Sequence, residues 1–104
     1  MIAVTDATFA DEVLASPLPV LVDYWADWCA PCRQLSPIID ELDREYGDKI
    51  RFAKLDTNAN AATPINYGIM SIPTLQLFVN GELVASMTGS KSKGAIVKAL
   101  ADYL

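Results

Sequence analysis

Apolar and polar positions along the chain follow two alternating periods. Ile2–Val4 predicts a short strand. Over Thr8–Leu14, Phe9, Val13 and Leu14 recur at helical spacing, with Thr5, Asp6 and Thr8 able to cap the start. Pro17 and Pro19 stop that helix. Val20–Trp25 is a continuous apolar run, rich in β-branched and aromatic residues, which predicts a strand buried on both faces. From Ala30 to Tyr46, Leu35, Ile38, Ile39 and Leu42 make one apolar stripe opposite a charged side, and Gly47 follows as a stop. Pro37 lies inside that helix and predicts a kink. Ile50–Asp56 predicts a strand, and Asn58–Tyr67 a short helix or turn broken at Pro64. Thr74–Asn80 and Glu82–Thr88 predict two strands joined across Asn80-Gly81, a hairpin dipeptide in which Gly81 has a structural role. Lys91–Leu104 predicts a last helix with Ile96, Val97, Leu100 and Tyr103 on one face. The succession predicts an α/β fold in one domain, residues 1–104, with helices on both faces of a sheet.

Composition narrows the functions open to such a domain. Of 104 residues, 52% are hydrophobic, enough to build a packed core. Lys and Arg number 8 against 13 Asp and Glu, a net charge of −5, so the chain has no broad attraction for nucleic acid or anionic lipid. It has no histidine, and so lacks the commonest general base and metal ligand. The start MIAVTDATFADEV has neither a basic segment nor a long apolar one, which predicts no signal peptide and a cytoplasmic location. No apolar run reaches the roughly 18 residues of a membrane span. Nothing predicts an oligomer, so a monomer is expected.

The chemistry concentrates in PVLVDYWADWCAPC, Pro19–Cys32, where the only two cysteines stand two residues apart at a strand-to-helix junction. A zinc site needs four ligands, and two thiols without imidazole fall short. A structural disulfide closing so small a ring removes little entropy from the unfolded chain. Two inert buried thiols are a further reading. A redox pair fits the helix start best. There the free N–H groups and the dipole stabilise a Cys29 thiolate, the attacking species. Cys32, one turn on and less open to solvent, can resolve the mixed disulfide. Pro31 suits the first turn, where no N–H is needed. With Ala30 and Pro31 between the cysteines in place of a cationic imidazole, the pair is expected to give electrons away.

Asp23 lies on one strand face with Leu21 and Trp25, with three apolar residues before it and three after. Burial there disfavours its charged form and raises its pKa, making it a proton acceptor for a buried thiol; the alternative is a strand-end carboxylate bonded to backbone. On the next strand Phe52, Lys54 and Asp56 share a face, so Lys54 points inward or out to solvent.

The chain resembles the thioredoxin family over its whole length, through VDYWADWCAPC, then Pro37, AKLD, SIPT around Pro73, FVNGE and Gly89, in the family's order and spacing. The resemblance implies a thioredoxin fold, a central mixed five-stranded sheet flanked by four helices. It implies a protein disulfide reductase with no bound cofactor, a redox-active Cys29–Cys32 disulfide, and re-reduction by an NADPH-dependent thioredoxin reductase. It implies that Asp23 is the base that deprotonates Cys32 and that Lys54 pairs with Asp23. It also implies that Ile72–Pro73 is cis and faces the cysteines, and that backbone at Ile72 pairs with the substrate chain. Trp28, Ala30, Pro31, Ile72, Pro73 and Gly89 are then the substrate-binding rim, and Trp25 packs beneath the site. The expected partners are disulfide-containing proteins and the reductase, with no nucleic acid, membrane or metal.

Some positions depart from the family pattern. Ala30 stands where the family has Gly, adding a methyl beside Cys29. Thr57, Ser71 and Thr88 replace residues that are commonly Ile, Gly and aliphatic, which predicts a more polar docking patch. A different class of function is a scaffold on the same fold whose cysteines are idle. The joint presence of Cys29, Cys32, Asp23 and Pro73 speaks against it.

Overall fold

The computed structural model describes all 104 residues. Five strands, β1 (Ile2–Val4), β2 (Val20–Trp25), β3 (Arg51–Asp56), β4 (Thr74–Val79) and β5 (Glu82–Thr88), form one sheet in the order β1-β3-β2-β4-β5. The pairs β1–β3 and β3–β2 are parallel; β2–β4 and β4–β5 are antiparallel. A π-helical segment (Ala10–Leu14) and three α-helices, α1 (Ala30–Tyr46), α2 (Ala62–Asn66) and α3 (Lys93–Leu100), complete the mixed α/β architecture expected from the sequence. No helix is long and apolar enough to cross a membrane.

Alternation along β2 divides the core. Leu21 joins Leu35, Ile39, Leu42, Phe52, Leu75, Leu77, Ile96 and Leu100 under α1 and α3. Val20, Val22 and Tyr24 join Val4, Phe9, Val13, Ala53, Leu55 and Phe78 on the other face. There Phe9, Tyr67 and Phe78 pack as an aromatic cluster with ring centroids 5.0–5.4 Å apart. A strand buried on both faces needs this continuous apolar run, and the one charge in it is Asp23.

Several boundaries differ from the sequence reading for local reasons. Helix over Thr8–Leu14 contracts to Ala10–Leu14, where the amide of Ala15 bonds the carbonyl of Ala10 at 2.9 Å, five residues back. Thr5 and Thr8 bond each other at its start, but Asp6 caps a different helix. Its carboxylate accepts from the amides of Ala62 (3.2 Å) and Thr63 (2.9 Å) at the start of α2, and the Thr63 bond leads in holding it below the usual carboxylate range. Pro64 does not break α2: it occupies the first turn, where its missing N–H leaves no bond unmade. The helix of α1 likewise continues through Pro37 to Tyr46. Strands β3 and β4 each lose one residue at an end, because Ile50 precedes the ladder and Asn80 turns to φ 52. With Gly81 at φ 81, Asn80 forms a hairpin turn with both central residues left-handed. Ser92, whose hydroxyl accepts from the Ala95 amide at 3.1 Å, starts α3 two residues later than expected, and the last turn tightens to a 3-10 helix at Ala101–Tyr103.

Candidate active site

Cys29 is the N-cap of α1, in extended conformation (φ −92, ψ 104), and Cys32 lies in the helix's first turn. The two form a disulfide with Cα atoms 5.3 Å apart. The amide of Cys32 donates to Cys29 Sγ at 3.2 Å, so the helix start places an N–H where it would stabilise negative charge on that sulfur. Ala30 and Pro31 supply the first helical positions between them, and both are exposed.

Cys32 is the less open cysteine, as expected, but only narrowly: Cys29 is 4% exposed and Cys32 3%. Both pack with Ala26 against Trp25 and Ile72. They differ in what surrounds them. Cys32 lines a cavity of about 150 Å³ with Asp23, Trp25, Asp27, Arg33, Ser36 and Lys54. Asp23 and Lys54 are opposite each other in the β2–β3 register, which brings both side chains to this cavity. Burial pushes the Asp23 carboxyl from 3.8 up to about 7, against a downward pull from the Lys54 charge and with a lesser upward push from Asp40. Asp23 Oδ1 and Trp25 Nε1 are buried here with no protein partner. The space and these polar atoms suit a bridging water.

Lys54 points inward but makes no ion pair with Asp23. Its Nζ lies over the Trp25 ring, 5.7 Å from the centroid, so it acts on Asp23 as a nearby charge rather than as a salt-bridge partner. No group of three or more His, Cys, Asp or Glu side chains is placed to hold a metal ion.

Next to Cys29, through Ile72, lies a groove of about 400 Å³ lined by Trp28, Thr57, Pro64, Ile69, Met70, Ser71 and Ile72, with no charged side chain among them. Cys29 Sγ is 3.9 Å from the Ile72 carbonyl oxygen. The Ile72–Pro73 peptide is cis, and the Pro73 carbonyl accepts from the Gly89 amide at 2.8 Å. Gly89 has φ 89, a conformation that L side chains rarely adopt, while the space around its Cα is open. Trp28 is 68% exposed, with Nε1 donating to Asn58 Oδ1 at 3.1 Å. Trp25 sits beneath the cysteines. Pro37 and Gly81 lie outside the site; a Cβ on Gly81 would come within 3.0 Å of the Leu14 carbonyl oxygen.

Of the three positions expected to make the patch polar, Ser71 is exposed and lines the groove, whereas the other two contribute little. The Thr57 hydroxyl donates inward to the Trp25 carbonyl at 3.0 Å, so it offers the groove little polarity. Thr88, at the end of β5, does not line the groove. Two residues not singled out in the sequence, Met70 at 96% exposure and Ile65 at 76%, make this side of the molecule more apolar. Ser36 in the cavity was also missed, although its place one helical turn after Cys32 was a usable signal. Nothing in sequence spacing puts Met70 beside Trp28.

Comparison with known proteins agrees with this geometry. The family model described as Thioredoxin matches residues 1–102. The chain is similar to thioredoxin 1 of Synechococcus elongatus, 45% identical over 102 residues that cover 98% of this chain and 95% of that one. It is 49% identical to the thioredoxin of Rickettsia prowazekii over 94 residues, 90% of each chain. Against the thioredoxin of Mycobacterium tuberculosis it is 46% identical over 103 residues, 99% of this chain and 89% of the other. Similarity along the full chain, together with a disulfide-forming pair at a helix start, makes the protein a thiol–disulfide oxidoreductase. The chain belongs to the thioredoxin family.

Proposed function

We propose that the chain reduces disulfides in protein substrates, with Cys29 as nucleophile, Cys32 as resolving thiol and Asp23 as proton acceptor. The observation that carries this reading is the placement of the two sulfurs: Cys29 caps α1 with its Sγ beside the Ile72 carbonyl at the edge of an uncharged groove, and Cys32 lines the same cavity as Asp23. The Cys29 thiolate attacks one sulfur of a substrate disulfide, forming a mixed disulfide and expelling the first substrate thiolate. Cys32 loses its proton to Asp23, directly or through a water in the cavity, and attacks Cys29 Sγ. The second substrate thiolate leaves, and two electrons have passed from the chain to the substrate as Cys29–Cys32 closes. Trp28, Ile72 and cis-Pro73 bound the docking site, and the open space at Gly89 admits the substrate backbone. The Ile72 carbonyl, beside Cys29, is positioned to accept a hydrogen bond from an extended substrate strand. Ala30 and Pro31 form the exposed helix-start side of the rim, and Lys54 modulates Asp23 through its charge. Re-reduction falls to an NADPH-dependent thioredoxin reductase in the cytoplasm, with the chain acting as a monomer that binds no cofactor.

Trapping tests the assignment. A Cys32→Ser variant accumulates a mixed disulfide with a protein substrate through Cys29, and a Cys29→Ser variant accumulates none. Equal adducts at both positions would remove the distinction between nucleophile and resolving thiol.

A further inference from the structure

We propose that Met70 is a reversible oxidation site that controls protein docking at the groove beside Cys29. The proposal rests on the reading of that groove as the place where disulfide-bearing substrates dock. The chain has three methionines. Met1 and Met87 pack against the large core cluster, whereas Met70 is 96% exposed. An oxidant from solvent therefore meets one thioether ahead of the other two.

The position of Met70 gives its oxidation a consequence. It lines the groove with Trp28 and Ile72, and the Ile72 carbonyl lies 3.9 Å from Cys29 Sγ. Its two chain neighbours are tied down: the Ile69 amide bonds the Pro64 carbonyl at 2.9 Å, and Thr74 Oγ1 bonds the Ser71 carbonyl at 2.7 Å. The loop thus presents an unbranched, polarizable side chain in the groove lining, suited to irregular apolar surfaces of many polypeptides. Ser71 is the groove's exposed polar member, since the Thr57 hydroxyl turns inward, and Met70 and Trp28 are its most exposed apolar side chains.

Oxidation by a peroxide transfers one oxygen to the thioether sulfur. The O–O bond breaks, the sulfur loses two electrons, and the peroxide leaves as water or alcohol. The product is a polar sulfoxide that no longer gains from burial under a substrate. A thiol-dependent sulfoxide reductase reverses the change: two thiols become one disulfide, the sulfoxide oxygen leaves as water, and the thioether returns. Cys29 and Cys32 are shielded from the same oxidant while they are joined as the disulfide.

The test uses the full chain in its disulfide form, exposed to hydrogen peroxide and then re-reduced at the cysteines. Peptide masses are expected to show one added oxygen at Met70 before Met1 or Met87. Kinetics are then followed with insulin, a protein disulfide, and with a small aromatic disulfide that needs no groove. KM for insulin is expected to rise about fivefold with kcat within about twofold, and the small disulfide to be reduced as before. Sulfoxide reductase treatment restores KM, and the KM of Met70→Leu, whatever its value before treatment, is expected not to move on exposure to peroxide. The proposal is overturned if Met70 oxidises no faster than the other two, if its sulfoxide leaves KM unchanged, or if Met70→Leu is equally sensitive. An untreated protein that reduces neither disulfide would overturn the docking reading and this one with it. One that reduces the small disulfide but shows no saturable insulin reduction would overturn the docking role alone.

Discussion

The two sides of the Cys29–Cys32 disulfide differ far more than the two cysteines do. Behind it lies a small cavity lined by ionisable groups: Asp23 and Lys54 from neighbouring strands, with the Lys54 ammonium over the Trp25 ring and Cys32 as the sulfur in the wall. In front lies a larger open groove without a charged side chain, walled by Trp28, Met70 and Ile72. With 4% and 3% exposure, the cysteines themselves would be assigned the same role. Division of labour between chemically identical thiols comes from their neighbours. In the proposed mechanism the back side takes up the Cys32 proton and the front side is covered by the substrate polypeptide.

The sharpest way to break that contrast is to remove the sulfurs one at a time. Cys29→Ser and Cys32→Ser are both expected to lower steady-state reduction of a protein disulfide by about a thousandfold or more, since exchange needs both. The partial reactions separate them: Cys32→Ser keeps the first attack and stalls at the mixed disulfide, while Cys29→Ser never begins. Single-turnover trapping reads the difference directly. Two variants that stall at the same stage would mean that front and back are not distinct in function.

Asp23 sharpens the contrast from the back. In the unfolded chain its carboxyl titrates near 3.8, and in the fold burial moves it to about 7. Between those values the folded state keeps a proton that the unfolded state has lost, so stability falls as pH rises through that window and is level on either side. The fall amounts to about 4 kcal/mol at most. Asp23→Asn carries no such slope. Relative to the parent it is expected to gain little near pH 3 and up to about 4 kcal/mol at pH 8, measured by urea unfolding at the two pH values. Parallel pH profiles for the two proteins would show that Asp23 is not buried as a titrating acid. Resolution by Cys32 is expected to slow about a hundredfold in the same variant at neutral pH, the usual contribution of a positioned base.

Lys54 tests whether the back cavity acts through charge at a distance. Because it lies over the Trp25 ring and makes no ion pair, its removal leaves no hydrogen bond of Asp23 unmade. Lys54→Met retains the side-chain bulk over Trp25 and removes the downward pull on Asp23. The carboxyl is therefore expected to titrate above 7, and the pH window in which stability falls to extend upward with it. An unchanged Asp23 titration, followed by carboxyl NMR, would mean that solvent screens Lys54 from the cavity.

Much of this architecture was legible in the sequence, for reasons that also mark where reading fails. Val20–Trp25 could hardly be anything but a buried strand, and Asn80-Gly81 fixed the hairpin through a turn that needs two left-handed residues. The stripe Leu35, Ile39, Leu42 fixed the buried face of α1. Asp23 stood out because a charge in such a run is costly. What stayed hidden depends on pairing distant segments. Asp6 caps a helix that starts 56 residues later, and the spacing of Phe9 and Val13 suits an α- and a π-helical turn alike. Pro64 reads as a breaker until the start of α2 is located. The groove joins residues 28, 57, 70 and 72 through the sheet order alone, so Met70 carries no signal in the sequence and Thr57 reads as polar surface.

Thr57 carries the smallest prediction and bears on the front of the contrast. Its hydroxyl and its amide both donate to the Trp25 carbonyl, at 3.0 and 2.9 Å. Thr57→Val keeps the shape and the amide bond, so the carbonyl is still satisfied and the loss in stability is expected to stay below about 1 kcal/mol. The replacement puts a methyl where a hydroxyl was, but that hydroxyl already points inward. KM for a protein disulfide is therefore expected to change by less than about twofold, a null result set against the fivefold rise expected at Met70. A large fall in KM for Thr57→Val would show that the hydroxyl turns outward when substrate approaches, and that the front of the site is tuned by polarity as well as by apolar contact.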